Sequence, residues 1–215
     1  MDAMDLKTID PVRRQAELGT ESTGLSPMDP PEAFAPPGLE PIPPAELHPF
    51  LRRLGEEHAR LTEALDGLET VLQEVGTSGF TTNVDHAVMR FLEVFDRDFV
   101  SHSREEEAVL FPPLHQRLID DGEHSRGETV TTAVDVMCGE HLKAVQLAAV
   151  VLNLLRVGSC LPDERSARIV IGAALREAEN LIELLRLHMF REDNIVFASA
   201  QRLLSTAELD AMARR

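Results

Sequence analysis

The sequence predicts an all-α protein, an up-down-up-down four-helix bundle with a disordered Pro-rich N-terminal arm. Three observations support this fold class. Apolar residues recur with a 3.6-residue period through most of the chain after Pro44. Short breaks rich in Gly, Ser and Asp separate the periodic segments, and no alternating run of useful strand length appears. Short connections between long helices favour antiparallel neighbours, which is the up-down-up-down arrangement.

Residues 1–44 form the predicted arm. Nine of the 13 prolines lie between Pro11 and Pro44, in a stretch without apolar periodicity. Such a composition cannot bury a core, so we expect one folded domain at residues 45–215. The first ten residues are acidic and lack the apolar run of a signal peptide. They predict a cytoplasmic protein.

The first predicted helix covers Ala45–Val75, and its leucine stripe is interrupted by His58. The second helix starts at Asn83 as N-cap and carries a Val and Phe stripe that ends in His102 and Glu106. Pro112 and Pro113 are expected to kink or end it.

The third predicted helix covers Thr129–Val157, with Gly158 as its terminator. Its predicted apolar stripe consists of Val130, Val134, Met137, His141, Val145, Ala148, Leu152 and Leu155. The fourth helix opens at Pro162 and Asp163, carries His188 and Glu192 on its apolar face, and continues through Leu204. Ser205 is predicted to cap a last short helix.

The positions of four histidines agree with this topology. In an up-down-up-down bundle the beginnings of the first and third helices lie level with the ends of the second and fourth. His58 and His141 come early in their helices, whereas His102 and His188 come late. The sequence therefore predicts one layer of imidazoles, toward one end of the core.

Two of these histidines belong to a repeated His-x-x-x-Glu pattern. Residues four apart lie about 40° apart on a helix face, so both side chains of each pair point into one cavity. Burying imidazoles and carboxylates in an apolar core costs several kcal/mol per uncompensated ion, and a bound cation removes that cost. Nitrogen and carboxylate ligands suit iron, manganese or zinc. The predicted metal ligands are His58, His102, Glu106, His141, His188 and Glu192.

The segment HSREEEAVLFPP, which begins at His102, resembles the second helix of hemerythrin-like (HHE cation-binding) proteins, His-x-x-x-Glu-Glu-x-x-Leu-Phe-Pro. HMFREDNIVFASA and GEHLKAV are similar to the family's later blocks, and the resemblance covers about Leu47–Leu204. It implies two iron ions in an oxo- or hydroxo-bridged di-iron centre, with open positions for water, O2 or NO. Carrier, sensor and enzyme all remain open, the last including NO reduction, iron oxidation and repair of iron centres.

Two departures from the oxygen-carrying hemerythrins matter. Those proteins have a second histidine one turn further along the third helix, where this chain has Val145. Their last motif is His-x-x-x-x-Asp, and here Asp193 stands five residues after His188. On an ideal helix, however, Asp193 would point about 140° away from His188. Glu192 is therefore expected to be the bridging carboxylate, with Asp193 as the alternative. The four-His, two-Glu set is more similar to di-iron proteins that repair iron centres or respond to NO.

Three further acidic residues lie close to the predicted ligands in the sequence. Asp98 and Glu140 could accept hydrogen bonds from the N–H groups of ligand imidazoles, but a solvated charge on the helix face is the expected role of each. Glu107 is expected to face water or to pair with Arg104.

Composition narrows the other function classes. A formal net charge of -16 repels phosphate backbones, so nucleic acid is not expected as a partner. No apolar run approaches the roughly 20 residues of a membrane span, so no membrane partner is expected.

Cys138 and Cys160 lie about 30 Å apart if both are on one helix, which rules out a disulfide between them. The alternative function is a helical bundle for structure or interaction, with no metal or a single metal ion; the oligomeric state is open.

Overall fold

The computed structural model describes residues 42–78, 81–125 and 130–214, and these ranges contain helices and no strand. After a 3-10 turn at Pro44–Glu46, five helices follow. They are α1 (Pro49–Ser78), α2 (82–120, as Thr82–Val94, Phe95–Phe99, Val100–Glu105, Glu106–Leu110 and Phe111–Asp120), α3 (Ala133–Cys160), α4 (164–203, as Glu164–Arg191, Glu192–Val196 and Phe197–Leu203) and α5 (Thr206–Met212).

Three π-helical turns interrupt the α-helical winding of α2 and α4. They are Phe95–Phe99 and Glu106–Leu110 in α2, and Glu192–Val196 in α4. A π turn adds one residue to a helical turn, so it rotates the side chains that follow it, and such turns are frequent at functional sites. Two of the three begin at the glutamate of a His-x-x-x-Glu pair, a feature that the sequence pattern did not predict.

Side-chain contacts show that neighbouring helices run antiparallel, because the residue number falls on one helix as it rises on its neighbour. The four interfaces form a closed cycle from α1 to α4 and back. The contacts are Arg53–Glu105 and Glu57–His102 for α1/α2, Glu107–His141 and His115–Thr132 for α2/α3, Glu140–His188 and Gly158–Ile171 for α3/α4, and His58–Asp193 and Asp66–Arg186 for α4/α1. The predicted all-α bundle is confirmed.

The polar layer lies between two apolar clusters and not near the end of the core. The larger cluster is built from the later part of α1, the earlier part of α2, and the paired halves of α3 and α4. The second cluster closes the other side, with Phe50, Leu114, Phe197 and Leu209 among its members. The six predicted ligands are therefore sealed from both ends of the bundle.

One predicted helix end was wrong, and another prediction held only in part. Pro112 and Pro113 were expected to kink or end α2, and they do not end it: they occupy the first turn of the segment Phe111–Asp120, directly after the π turn Glu106–Leu110. Gly158 does not terminate α3, which continues to Cys160. Gly158 is buried, and a Cβ there would lie 2.7 Å from Cγ1 of Ile171. Its role is the close approach of α3 to α4.

The predicted stripe of α3 was wrong at three positions, since Val130, Val145 and Leu152 are exposed. The buried positions in that part of the helix are Ala144, Leu147, Ala148 and Val151. Steps of three and of four residues both stay near one helix face, so apolar periodicity selects a stripe only when the other face is polar. In α3 the other face is also apolar.

The predicted N-cap of α2 was also wrong, because the helix begins at Thr82 and Thr81 occupies the cap position, which places Asn83 inside the first turn. Helix α3 begins at Ala133, four residues after its predicted start.

The predicted caps of the last two helices are confirmed. Asp163 caps α4 by accepting from the N–H of Ser166 at 2.8 Å, and Ser205 forms a capping box with Glu208 on α5. Both cysteines lie on α3 and are free. Most of the predicted arm lies outside the described residues. Ile42 already packs against the second cluster, two residues before the expected end of the arm.

Candidate metal centre

Four buried imidazoles meet in two pairs at the centre of the bundle. We call His58 and His102, from α1 and α2, the first half-site, and His141 and His188, from α3 and α4, the second half-site. The Nε2 atoms lie 3.2 Å apart in the first half-site and 3.1 Å apart in the second. Both pairs direct Nε2 toward the bundle axis, where the carboxylates of α2 and α4 lie.

Glu106 and Glu192 are fully buried between the imidazole pairs. Oε2 of Glu192 lies 3.1 Å from Nε2 of His58, while its Oε1 lies 3.1 Å from Nε2 of His188. Oε2 of Glu106 lies 3.3 Å from Nε2 of His102 and 3.4 Å from Nε2 of His141. Each carboxylate therefore reaches across both half-sites, and the structure brings all six predicted side chains together.

The outer nitrogen of every imidazole faces a further carboxylate, which we call its outer carboxylate. The Nδ1 distances are 2.9 Å for His58–Asp193, 3.0 Å for His102–Glu57, 2.8 Å for His141–Glu107 and 3.1 Å for His188–Glu140. In each case the carboxylate comes from the neighbouring helix. The four contacts run in one direction around the bundle, from α1 to α2, α2 to α3, α3 to α4 and α4 to α1.

The outer carboxylates determine which imidazole nitrogen carries the proton. An ionised carboxylate only accepts hydrogen bonds, so each Nδ1–H must donate outward. A neutral imidazole then has a lone pair at Nε2, directed inward. Such an arrangement is the one that fixes a histidine as a metal ligand through its outer hydrogen bond.

With this tautomer, the centre contains only hydrogen-bond acceptors, namely four Nε2 lone pairs and the carboxylate oxygens of Glu106 and Glu192. Among the residues that the structure describes, none donates a hydrogen bond to either oxygen of Glu106 or of Glu192. Short contacts between carboxylate oxygens and imidazole lone pairs are repulsive unless a positive charge lies between them. Two nitrogen ligands about 2.1 Å from one cation and at right angles to each other would be about 3.0 Å apart. The observed Nε2–Nε2 distances fit that spacing, so the residues fit bound cations.

Without metal, protons must supply the positive charge. Burial lowers the pKa of His58, but the hydrogen bond to Asp193 and the nearby carboxylate of Glu192 outweigh it and raise the pKa to about 9. Burial likewise opposes the effect of the glutamates around His102 and His141, whose pKa values rise to about 12 and about 10. Burial acts to raise the pKa of Glu192, yet the surrounding imidazoles keep it well below its usual value. The same carboxylates that attract protons here attract a metal ion.

The two half-sites repeat one local pattern. Glu57-His58 on α1 corresponds to Glu140-His141 on α3, and HSREEEAVLF on α2 corresponds to HMFREDNIVF on α4. Each of the two π turns that begin at a ligand glutamate is followed by a phenylalanine that stacks on an imidazole, with centroid distances of 5.7 Å for Phe111–His141 and 5.8 Å for Phe197–His58. The centre thus has an approximate two-fold symmetry that exchanges α1 with α3 and α2 with α4.

Arginines extend this symmetry to the outer carboxylates. Arg53 pairs with Glu57 at 2.9 Å, and Arg191 pairs with Glu140. The hydrogen bond from His102 and the charge of Arg53 lower the pKa of Glu57. Glu107 and Asp193 are about half exposed and have no arginine partner in the described part of the chain. Each half-site therefore has one shielded and one solvent-facing outer carboxylate.

The half-sites differ in free space. A cavity of about 10 Å³ lies beside His58 and His102, and its apolar walls are Leu61, Phe99 and Met189. This is roughly the space that one water molecule needs. At the second half-site the edge of the Phe99 ring packs against both imidazoles, with centroid distances of 5.7 Å to His141 and 5.8 Å to His188.

A surface groove of about 470 Å³ between α1 and α2 comes close to this cavity. Ala64, Gly67, Phe91 and Val94 line its apolar part, and Asp98 lines both the groove and the cavity. Arg97 holds Asp98 at 2.8 Å. Asp98 is therefore the residue at which the groove and the cavity adjoin.

Sequence reasoning misjudged the outer carboxylates. Glu107 and Glu140 were expected to be solvated charges, and Asp193 was the alternative bridging ligand, but all three contact an imidazole of the next helix. One signal was present in the sequence, because each outer carboxylate is adjacent to a predicted ligand. An adjacent residue lies about 100° around the helix and so faces the neighbouring helix. Asp98, which was weighed for the same role, pairs with Arg97 instead.

Cys138 shows no sign of a metal or redox role. It packs, half-buried, against the second apolar cluster. Burial and the nearby charge of Glu107 raise the pKa of its thiol to about 11, so the thiol is protonated at neutral pH.

Fold and site together define a class, the helical bundles that bind cations through histidine and glutamate side chains. The sequence model of the hemerythrin HHE cation-binding domain matches residues 50–200 of the 215. This chain belongs to that family, whose members bind metal cations, typically iron. No curated protein matches the chain.

Proposed function

We propose that the protein holds two iron ions and binds or reacts with a diatomic ligand, O2 or NO, at the first half-site. The observation that carries the proposal is the set of four buried carboxylate oxygens without a hydrogen-bond donor in the described residues, facing four imidazoles. The proposed ligands are His58, His102, Glu106, His141, His188 and Glu192. Bound iron would supply a redox-active centre with affinity for O2 and NO.

The two metal positions would have unequal ligand sets. His58, His102 and Glu192 can converge on one ion, whereas Glu106, His141, His188 and Glu192 can converge on the other. Three protein ligands leave more of an octahedral ion open than four do. The small cavity lies at the position with fewer ligands. Ligand number and free space therefore favour the same half-site for an incoming molecule.

The size of the cavity supports a small ligand. About 10 Å³ beside the imidazoles has room for one water-sized molecule, and its walls are largely apolar. Larger organic substrates do not fit there without rearrangement of Leu61 or Met189. A stress or repair role that uses the same centre, including iron handling, is compatible with these contacts and requires reaction measurements.

The test of the metal proposal is iron content per chain after expression in iron-rich medium. We expect about two iron ions in the wild type, about one or fewer in His58→Ala and in His141→Ala, and about two in the control His86→Ala, which removes an exposed histidine outside the centre. One ion in the wild type would support the mononuclear alternative. No metal would support a purely structural bundle. Either result would refute the di-iron proposal.

The ligand proposal is tested by mixing reduced, iron-loaded protein with NO or O2 and following the visible spectrum. Leu61→Phe would fill the cavity and should slow the reaction at least about tenfold while the iron content stays the same. Leu175→Phe is the control, because Leu175 packs in the larger cluster and does not line the cavity. Equal rates in Leu61→Phe and wild type would exclude this route. A long-lived reversible spectrum indicates a carrier, and irreversible oxidation indicates an enzyme or sensor.

A further inference from the structure

Helix α3 exposes far more apolar surface than the other long helices. Within Ala133–Cys160, an 18-residue window has a mean hydropathy of 1.4, and only 33% of it is buried. By length and composition alone, this is the one helix of the described residues that could cross a membrane. Its inner face, however, supplies His141 and packs on α4, so the solvent-facing side is what needs an explanation.

Three of the large apolar residues exposed on α3 belong to one regular stripe, while Val136, Val150 and Val157 lie on the other flank of the helix. From the half-buried Cys138 to Arg156 the stripe has alternating steps of four and three residues, and its members are Cys138, Leu142, Val145, Ala149, Leu152 and Arg156. We call this stripe the α3 seam. Leu142 is 61% exposed, Val145 45% and Leu152 43%, and Ala149 is also exposed. A stripe of this spacing is what one helix presents to another in a two-helix contact.

The seam is free of charge over most of its length. Residues 144–155 read AVQLAAVVLNLL, without a single charged side chain, in a protein whose composition is 27% charged. Glu140 points inward to His188, and Lys143 lies about 120° around the helix from Ala149. From Cys138 to Arg156 the seam is about 27 Å long. Exposed apolar stripes of this extent mark interaction sites.

The ends of the seam favour an antiparallel partner of the same sequence. Asp135 lies at one end, half exposed, and its Oδ2 already accepts from the N–H of Thr132 at 2.7 Å and lies 3.3 Å from His115. Arg156, which has no ion-pair partner in the described chain, lies at the other end. When two copies of α3 pack antiparallel, Asp135 of each copy comes level with Arg156 of the other, and Leu142 comes level with Ala149. The two helix dipoles are then antiparallel, which is the favourable orientation.

We propose that the α3 seam is a homodimer interface in which two copies of the chain pack α3 against α3 antiparallel. The contact covers Leu142, Val145, Ala149 and Leu152 of both copies. The seam lies on an exposed flank of α3, next to the face that carries His141, and its residues are already exposed, so the contact needs no rearrangement of the bundle.

The test is to measure the mass of the 215-residue chain in solution by sedimentation velocity. The protein concentration is fixed at about 20 µM, because dimerisation depends on concentration. We expect twice the chain mass of 23.8 kDa for the wild type. Val145→Glu should raise the dimer dissociation constant at least about 100-fold, because it buries a charge in the apolar seam. Val136→Glu is the matched control: Val136 is 49% exposed on the same helix but about 180° around from Val145, so dimerisation should persist.

Circular dichroism and iron content should be the same in both variants, which separates loss of the dimer from loss of the fold. A monomeric wild type, or a Val145→Glu protein that is still dimeric, would overturn the proposal. Arg156→Asp should also weaken the antiparallel dimer, since it would face Asp135; an unchanged dissociation constant would refute the antiparallel orientation. A monomer that floats with phosphatidylcholine vesicles, and no longer does so in Val145→Glu, would show that the seam binds lipid instead.

Discussion

The two helix pairs carry nearly the same ligand pattern but pack differently. In the α3–α4 pair, Gly158 lets the helices approach until a Cβ would clash with Ile171. In the α1–α2 pair, a groove of about 470 Å³ separates the helices, and a Cβ at Gly67 would meet nothing within 4 Å. The small cavity is lined by both imidazoles of the more open pair, His58 and His102, and by His188 of the second half-site.

This difference shows that one set of residues places the ligands, whereas other residues on the same helices determine how open each half-site is. The repeated residues on α1/α2 and on α3/α4 place two imidazoles and an outer carboxylate in equivalent positions. Packing further along the same helices then closes one half-site and leaves the other accessible. A two-fold pattern of ligands can therefore support an asymmetric reaction, with one metal held and the other exposed to an incoming molecule.

The largest expected effect is on metal content, and it differs between Glu192 and Glu106. Glu192 lies within 3.8 Å of all four imidazoles, whereas Glu106 contacts His102 and His141. We predict that Glu192→Ala loses both metal ions and that Glu106→Ala keeps about one, in the first half-site. Iron content by elemental analysis measures both. Equal loss in the two variants would mean that the half-sites are equivalent.

Removal of metal should make stability depend on pH in the alkaline range. The folded-state pKa of His58 is about 9 and that of His141 about 10, above the unfolded value of about 6.5. Their contribution is fully present below pH 6.5 and is lost as the pH rises through 9 to 10. For His58 alone the loss is on the order of 3 kcal/mol.

Urea unfolding of chelator-treated protein at several pH values measures this loss. In the double variant His58→Gln with His141→Gln the alkaline decrease should be much smaller. A wild-type protein whose stability is flat or rises over the same range would contradict the assignment of protonated imidazoles to the metal-free centre.

The packing contrast between the helix pairs predicts opposite effects of one substitution. Gly158→Ala should destabilise the protein by about 1–3 kcal/mol, because the new methyl group overlaps Ile171. Gly67→Ala should be neutral or stabilising by up to about 1 kcal/mol, since alanine favours a helix and nothing lies near the site. Thermal unfolding compares the two. A neutral Gly158→Ala would show that α3 and α4 are not so tightly packed.

The smallest effect concerns the outer carboxylates. Glu140→Gln keeps an acceptor for Nδ1–H of His188 but removes its charge, so metal affinity should fall about tenfold. Glu57→Gln should have a similar effect through His102. Glu56→Gln, an exposed neighbour with a long 3.9 Å contact to Arg52, is the control. Competition with a coloured chelator measures affinity. A loss as large for Glu56→Gln would indicate a general charge effect.

The sequence predicted the helices and the residues that meet at their centre because both follow from local periodicity. Leucine spacing located α1, and the order of four histidines along antiparallel helices placed them in one layer. The capping residues Asp163 and Ser205 were also predictable, since a cap depends on residues within one turn.

The features that could not be predicted from the sequence depend on contacts between helices. The apolar stripe of α3 was misplaced at Val145 because both faces of that helix are apolar. The π turns at Glu106 and Glu192 change the direction of later side chains, and no simple period indicates them. Glu107 was not recognised as an outer carboxylate, and Glu140 could not be told apart from Asp98 as a candidate, because a residue's partner on another helix is known only once the helices are paired.

The central claim is that two metal ions occupy the centre, one in each half-site. The most direct measurement is anomalous X-ray scattering at the iron edge from crystals of the iron-loaded protein. We predict two peaks, one beside His58 and His102 and the other beside His141 and His188, with Glu192 adjacent to both. A single peak, or peaks outside the six proposed ligands, would contradict the account.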